Sequence, residues 1–258
     1  MLAFRQSAWS FGLLILALVF FELSNTDMFI QDYLYNFSKQ HWLVTLNKDS
    51  LIHFIFYDGI KRLLVLFALM LLISQLFFRN KPYIRKHRSG LIIVFLSLVI
   101  VPLTVGTIKK YSNVACPNAL TQYGGTIDYI RVFENYQKGK KPVKAQKCFP
   151  AAHASGGFAL LALFFLTSSL QGRISAIALA LSAGWLMGGY KMLIGHHFLS
   201  HTVITMILSW LIINLIAIFI QLQMFKLQTI KLKIIDLKNY SCQKKIDKKI
   251  STKDNHTL

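Results

Sequence analysis

Acidic residues are scarce in this chain. Ten Asp and Glu stand against 29 Lys and Arg in 258 residues, and charged residues of both signs make up only 15%. Ordinary soluble domains carry about 25%, so the composition excludes a conventional water-soluble fold. Cysteine is nearly absent too. With only Cys116, Cys148 and Cys242, one thiol stays outside any intrachain pairing, which excludes a dense disulfide framework. The first apolar run follows only residues 1–7, with a single Arg, and lacks a convincing small-residue cleavage site. A retained first helix is therefore expected rather than a cleaved signal peptide. The formal charge of +19 does not point to nucleic acid as a partner. The cations cluster beside the apolar runs, where topology and anionic lipid place them.

Long apolar runs are abundant: the chain is 54% hydrophobic, with a mean hydropathy of +0.48. Runs long enough to cross a bilayer predict six transmembrane helices, approximately Ala8–Leu23, Leu63–Phe78, Leu91–Ile108, Ala154–Leu170, Ile174–Tyr190 and Val203–Met224. The predicted fold class is all-α, a polytopic membrane helical bundle over residues 1–225 with a basic tail, 226–258, behind it. The stretch Arg79–Arg88 carries five cations and no carboxylate, and the positive-inside bias assigns it to the cytoplasm. Six spans then put the N and C termini in the cytoplasm. The tail from Lys226 agrees, with nine lysines against three aspartates. Its apolar positions Leu227, Ile230, Leu232, Ile234, Ile235 and Leu237 suggest a helix lying on anionic lipid.

Three segments face the other side, the last of them the short turn Lys191–Thr202. Residues 24–60 hold Trp42, Phe54, Phe56 and Tyr57 and suit an interfacial or re-entrant stretch. The long loop 109–150 sets Lys109, Lys110, Arg131, Lys138, Lys140, Lys141, Lys144 and Lys147 against only Asp128 and Glu134. It reads as a cationic collar that attracts an anionic headgroup. Cys116 and Cys148 bracket this loop in an oxidising compartment, while Cys242 lies in the reducing cytoplasm, so a Cys116–Cys148 disulfide is expected. Closing a loop of about 33 residues contributes roughly 3–4 kcal/mol in the chain-entropy description.

Two histidine-bearing stretches, Cys148–His153 and Gly195–His201, open on that same face. Ionisable groups at the mouth of a membrane bundle are costly and usually functional. His197 and His201 are four residues apart and share a helix face, His153 opens another span, and Lys109 and Lys191 end neighbouring helices. Three histidines could hold zinc. The flanking lysines would repel that cation and no carboxylate completes the set, so neither metal nor cofactor is expected. Two imidazoles and two ammonium groups instead make a phosphate site. One His attacks phosphorus, the other protonates the leaving oxygen, and the lysines hold the equatorial oxygens. Lys110 adds to the cationic side, and backbone amides at the helix start around Ala152 add donors.

The residues that carry this chemistry form three blocks: Lys109-x6-Cys116-Pro117, then Pro150-Ala151-Ala152-His153, then Tyr190-Lys191-x5-His197-x3-His201. In order, spacing and position relative to the spans they resemble the type 2 phosphatidic acid phosphatases, the membrane branch of the superfamily that includes vanadium haloperoxidases. That family's pattern is K-x6-R-P, P-S-G-H and S-R-x5-H-x3-D, and its six-helix layout covers residues 1–225. The resemblance implies that His197 is the nucleophile, forming a phosphohistidine, and that His153 is the general acid. It implies that Lys109 and Lys191 grip phosphate, without a metal.

The chain departs from the pattern at several positions. Cys116 and Lys191 stand where the family has arginine, and a lysine lacks the bidentate fork. Ala151 and Ala152 replace serine and glycine. His201 stands where the family places the Asp that orients the nucleophile. A neutral imidazole can accept a hydrogen bond from His197 but does not stabilise an imidazolium as a carboxylate does. Asp128 or Glu134 could supply the missing carboxylate, and His196 reads as an interfacial side chain.

The implied function is a lipid phosphatase on the periplasmic face of a bacterial inner membrane. Candidate substrates are lipid A, undecaprenyl pyrophosphate, phosphatidylglycerophosphate and phosphatidic acid, with the basic loop favouring lipid A. A lipid-to-lipid phosphotransferase and a catalytically inactive headgroup-binding membrane protein are the alternatives. The sequence leaves the oligomeric state open.

Overall fold

A computed structural model of the chain describes residues 2–44 and 54–254. Its long helices are α1, Leu2–Leu23; α3, Ile60–Phe77; α5, Arg88–Tyr111; α7, Leu170–Leu193; and α8, Leu199–Asp254. Shorter ones are α2, Thr26–Tyr33; α4, Pro82–Lys86; and α6, Ala152–Ala159. Strands β1, Tyr35–Asn36, and β2, His41–Trp42, form a small antiparallel hairpin. Among the described residues, five helices are long and apolar enough to cross a membrane: α1, α3, α5, α7 and the stretch Leu199–Ile234 of α8. The chain is a multi-pass membrane protein.

The expected fourth span takes a different form. Helix α6 is only eight residues long and continues as a 3₁₀ helix, Leu160–Phe165. The greater rise of the 3₁₀ turn lengthens the pair to about 24 Å, short of a hydrocarbon core of about 30 Å. This element is also the most enclosed. Ala154, Phe158, Ala159 and Ala162 are fully buried, packed against α5 and α7. Two glycines make that enclosure possible. A Cβ on Gly157 would fall 2.5 Å from the backbone nitrogen of Gly184, so α6 and α7 meet backbone to backbone. By contrast, α1 buries only Ala3, Ser10 and Phe21, and α3 only Leu71. Their large side chains, among them Trp9, Phe11, Leu63 and Met70, are exposed, as lipid-facing helices require.

The segment after α1 folds over one end of the bundle. Tyr35, Trp42 and Tyr123 form a cluster of aromatic rings with centroids 4.8–5.2 Å apart; Tyr35 and Tyr123 are buried with Ala115, Leu120 and Phe198, and the partly buried Trp42 packs against them. Gln31 donates to the Met192 carbonyl at 3.1 Å, tying α2 to the end of α7. Part of the stretch expected to be interfacial, residues 45–53, lies outside the described residues. The loop after α5 is joined to the start of α6 by a disulfide between Cys116 and Cys148, with Cα atoms 5.2 Å apart.

By internal contacts the chain divides into two compact units, Met1–Ala217 and Ile218–Leu258. The second is the remainder of α8, helical to Asp254, with Phe225, Leu227, Ile230 and Leu232 exposed.

Candidate active site

Four helix ends converge on one place. Lys109 lies in the last turn of α5 and Lys191 in the last turn of α7, where the helix dipole favours a cation. His153 lies in the first turn of α6 and His201 in the first turn of α8. The connection between α7 and α8 carries His196 and His197 and is built on Gly195. This residue has a φ of 70°, which suits glycine, and the Trp42 ring covers the space a Cβ would fill. Behind the turn, the Gly195 carbonyl accepts from Asn118 at 2.9 Å and the Lys191 carbonyl accepts from the His196 amide at 2.8 Å.

His197 and His201 are 2% and 1% exposed. Their Nδ1 atoms lie 3.3 Å apart, and the ring of His201 also bonds the backbone of Cys148. Phe149 and Phe198 pack edge-on against the His201 ring at 5.3 and 5.4 Å. The disulfide runs directly beside the pair, with Cys148 Sγ 3.6 Å from His197 Nδ1 and 2.9 Å from the His196 carbonyl oxygen. A disulfide sulfur has no proton to give, so the second distance is a close contact and not a hydrogen bond. Cys148, His197 and His201 could by proximity hold a metal ion, their ligand atoms lying within 4.8 Å of one another. The sulfur is committed to Cys116, which leaves two imidazoles.

The two histidine stretches meet around shared charge. Lys109, Lys191 and His153 all act electrostatically on His197, and Lys109 and Lys191 act on His153. Lys191 is only 3% exposed. Burial above all, then His201 and the neighbouring cations, holds the His197 imidazole well below its ordinary range, so it is neutral at physiological pH. Burial and the two lysines push His196 down to about 4. Lys110, expected beside Lys109, is exposed. The amide of Ala152 donates to the Pro150 carbonyl at 3.0 Å, and that of Ala151 to Thr205 Oγ1 at 2.9 Å. Both expected backbone donors are therefore engaged within the protein.

Sequence reasoning missed a buried carboxylate beside this site. Asp27 of α2, 6% exposed, accepts from the Ser200 amide at 2.8 Å and from the Ser200 hydroxyl at 2.5 Å. It thereby caps α8 from another helix, between His197 and His201 in sequence. Its only signal was a carboxylate just after the first span, in a chain with few of them. Asp128 and Glu134, the two expected alternatives, pair instead with Lys140 and Arg131, each at 2.9 Å.

Beside His153 an apolar cleft of about 590 Å³ opens between α3, α5 and α6. Its walls include Leu64, Leu69, Phe95, Leu98 and Pro102, with Ala152 and His153 also on its lining. An apolar groove that touches a group of buried imidazoles and lysines suits a molecule with a hydrocarbon chain and an anionic head.

The model of the PAP2 superfamily matches residues 90–225, more than half of the chain. The chain belongs to the PAP2 superfamily. No curated protein and no solved structure matches it significantly. The PAP2 match takes in Lys109, His153, Lys191, His197 and His201 and leaves out α1 and α2, and with them Asp27. PAP2 membership makes the protein a phosphatase of phosphate esters, here built into membrane-spanning helices.

Proposed function

We propose that this protein is a lipid phosphatase that removes a terminal phosphate from a membrane lipid through a phosphohistidine on His197. The observation that carries the reading is the convergence of His197, His153, Lys109 and Lys191 at the head of an apolar cleft. The hydrocarbon chain of the substrate lies in the cleft and its phosphate among the lysines.

The neutral state of His197 suits a nucleophile. Its Nδ1 faces His201, so a proton placed there is donated to His201 Nδ1. Nε2 is then left with the lone pair that attacks phosphorus. His201 must in that case carry its own proton on Nε2, and it sets the tautomer as a carboxylate would. Lys109 and Lys191 neutralise the equatorial oxygens. His153 protonates the leaving oxygen and then takes a proton from the water that hydrolyses the phosphohistidine. None of these roles requires a metal, and the lysines disfavour one.

We further assign six spans, counting the α6 element, with both termini cytoplasmic. The cationic Arg79–Arg88 connection lies at the opposite end of α5 from Lys109, which supports a site on the outer, periplasmic face of an inner membrane. The exposed lysines of the 109–150 loop favour a headgroup with more than one negative charge, lipid A among them. The domain is assigned to residues 1–225 and the tail to 226–258.

Phosphate release from a panel of lipid phosphates, in detergent with EDTA, tests the reading. Wild type should turn over at least one lipid, His153→Ala should lose roughly 10²–10⁴-fold, and His197→Ala should fall to background. Turnover that survives both substitutions, or that requires added metal, would overturn it.

A further inference from the structure

One cation on the cleft takes no part in the mechanism above. Lys61 stands in the first turn of α3, exposed, and lines the same cavity as His153 and Ala152. Of the residues lining that cavity, Lys61 and His153 are the titratable ones, and the others are apolar or glycine. The charges that act on His197 come from His201, Lys109, His153 and Lys191, whereas those that act on His153 include Lys61. Lys61 therefore stands on the general-acid side of the site, at the mouth of the cleft that takes the hydrocarbon chain.

Charge on that side belongs to the leaving group. A phosphate monoester leaves as an alcohol, which gives a lysine no anion to bind. A diphosphate leaves as a lipid monophosphate, whose negative charge appears between His153 and the cleft. We infer that Lys61 binds the lipid-proximal phosphate and that the site is built for lipid diphosphates, with Lys109 and Lys191 on the terminal phosphate. This rests on the phosphatase reading and narrows it to diphosphates, away from every lipid phosphate monoester, those of lipid A included.

The step balances. The Nε2 lone pair of His197 forms the N–P bond while the bond from the terminal phosphorus to the bridging oxygen breaks. That oxygen keeps the electron pair and takes the His153 proton, and the lipid monophosphate departs beside Lys61. Water then attacks phosphorus and gives a proton to His153, the N–P pair returns to His197, and inorganic phosphate leaves. The cation at Lys61 lowers the cost of separating two phosphates that both carry negative charge.

The test uses the full-length protein in detergent with EDTA, on geranylgeranyl diphosphate and geranylgeranyl monophosphate. Wild type should favour the diphosphate in kcat/KM, and Lys61→Gln should cut that preference roughly 10- to 100-fold, the worth of a charged hydrogen bond. Lys61→Arg should retain most of it. Equal losses on the two lipids, or a wild-type preference for the monophosphate, would overturn the assignment of Lys61. A folded wild type that hydrolyses neither lipid, nor any other lipid phosphate, would overturn the phosphatase reading itself.

Discussion

The Nδ1 atoms of His197 and His201 lie 3.3 Å apart, both rings buried. On the proposed mechanism an imidazole thus occupies the orienting position behind the nucleophile, where the resemblance drawn from the sequence implies a carboxylate. Imidazole fixes the tautomer but adds no negative charge to offset the imidazolium character that His197 gains if it is protonated. Replacing His201 by Ala removes the orientation, and kcat should fall roughly 10²–10⁴-fold. Replacing it by Asp retains an acceptor and adds charge. The acid limb of the kcat/KM profile should then move to higher pH, because the carboxylate favours protonated His197. An unmoved limb would mean that residue 201 does not bond the nucleophile.

The disulfide has two consequences that can be separated. Cys116→Ser/Cys148→Ser frees a 33-residue loop (32 positions apart in sequence), and thermal unfolding in detergent should show a loss of roughly 3–4 kcal/mol. Cys148 also lies 3.6 Å from His197 Nδ1, so kcat should fall beyond what the loss of folded protein explains. Thiol labelling of unreduced protein should modify Cys242 but neither Cys116 nor Cys148. Labelling of all three would remove the bridge from the account.

Burial raises Asp27 from 3.8 to about 6, against the pull of its two hydrogen bonds from Ser200. A carboxyl whose folded value exceeds its unfolded one favours the fold below about pH 4, and that contribution is lost as pH rises through about 6. The cost of ionising it in place is about 2–3 kcal/mol. Asp27→Asn keeps an acceptor for the Ser200 amide and cannot ionise. The melting temperature of wild type relative to this variant should fall between pH 4 and 6.5. A constant difference would place Asp27 in water instead.

Gly195 combines a positive φ with the Trp42 ring pressed against its missing side chain. Gly195→Ala should cost about 1–3 kcal/mol. It should also lower kcat, because His196 and His197 follow on the same turn. Gly189, with no atom within 4 Å of an added Cβ, is the control, and Gly189→Ala should be close to neutral.

The parts of this molecule written in local patterns were legible in the sequence. The apolar runs placed α3, α5, α7 and the start of α8 to within about four residues, because the bilayer leaves a spanning segment few options, whereas α1 begins at Leu2 and not at the expected Ala8. The helix-end positions of Lys109, His153 and Lys191 followed from the same boundaries. The form of the fourth expected span was not legible, since its division into α6 and a 3₁₀ ending depends on the close approach of Gly157 to Gly184. Asp27 and Lys61 were missed for a related reason. Each reaches its neighbours from an element distant in sequence, and a single Asp or Lys beside a span has an ordinary topological explanation.

The central claim is that His197 carries the phosphoryl group. The most direct measurement is rapid acid-free quenching of wild type with a lipid phosphate labelled in its terminal phosphate, in EDTA, followed by peptide mapping. The account predicts an acid-labile, alkali-stable phosphoryl adduct on the peptide that contains His197, formed at the rate of turnover and absent from His197→Ala. Turnover with no such adduct, or an adduct on His153 or His201, would contradict it.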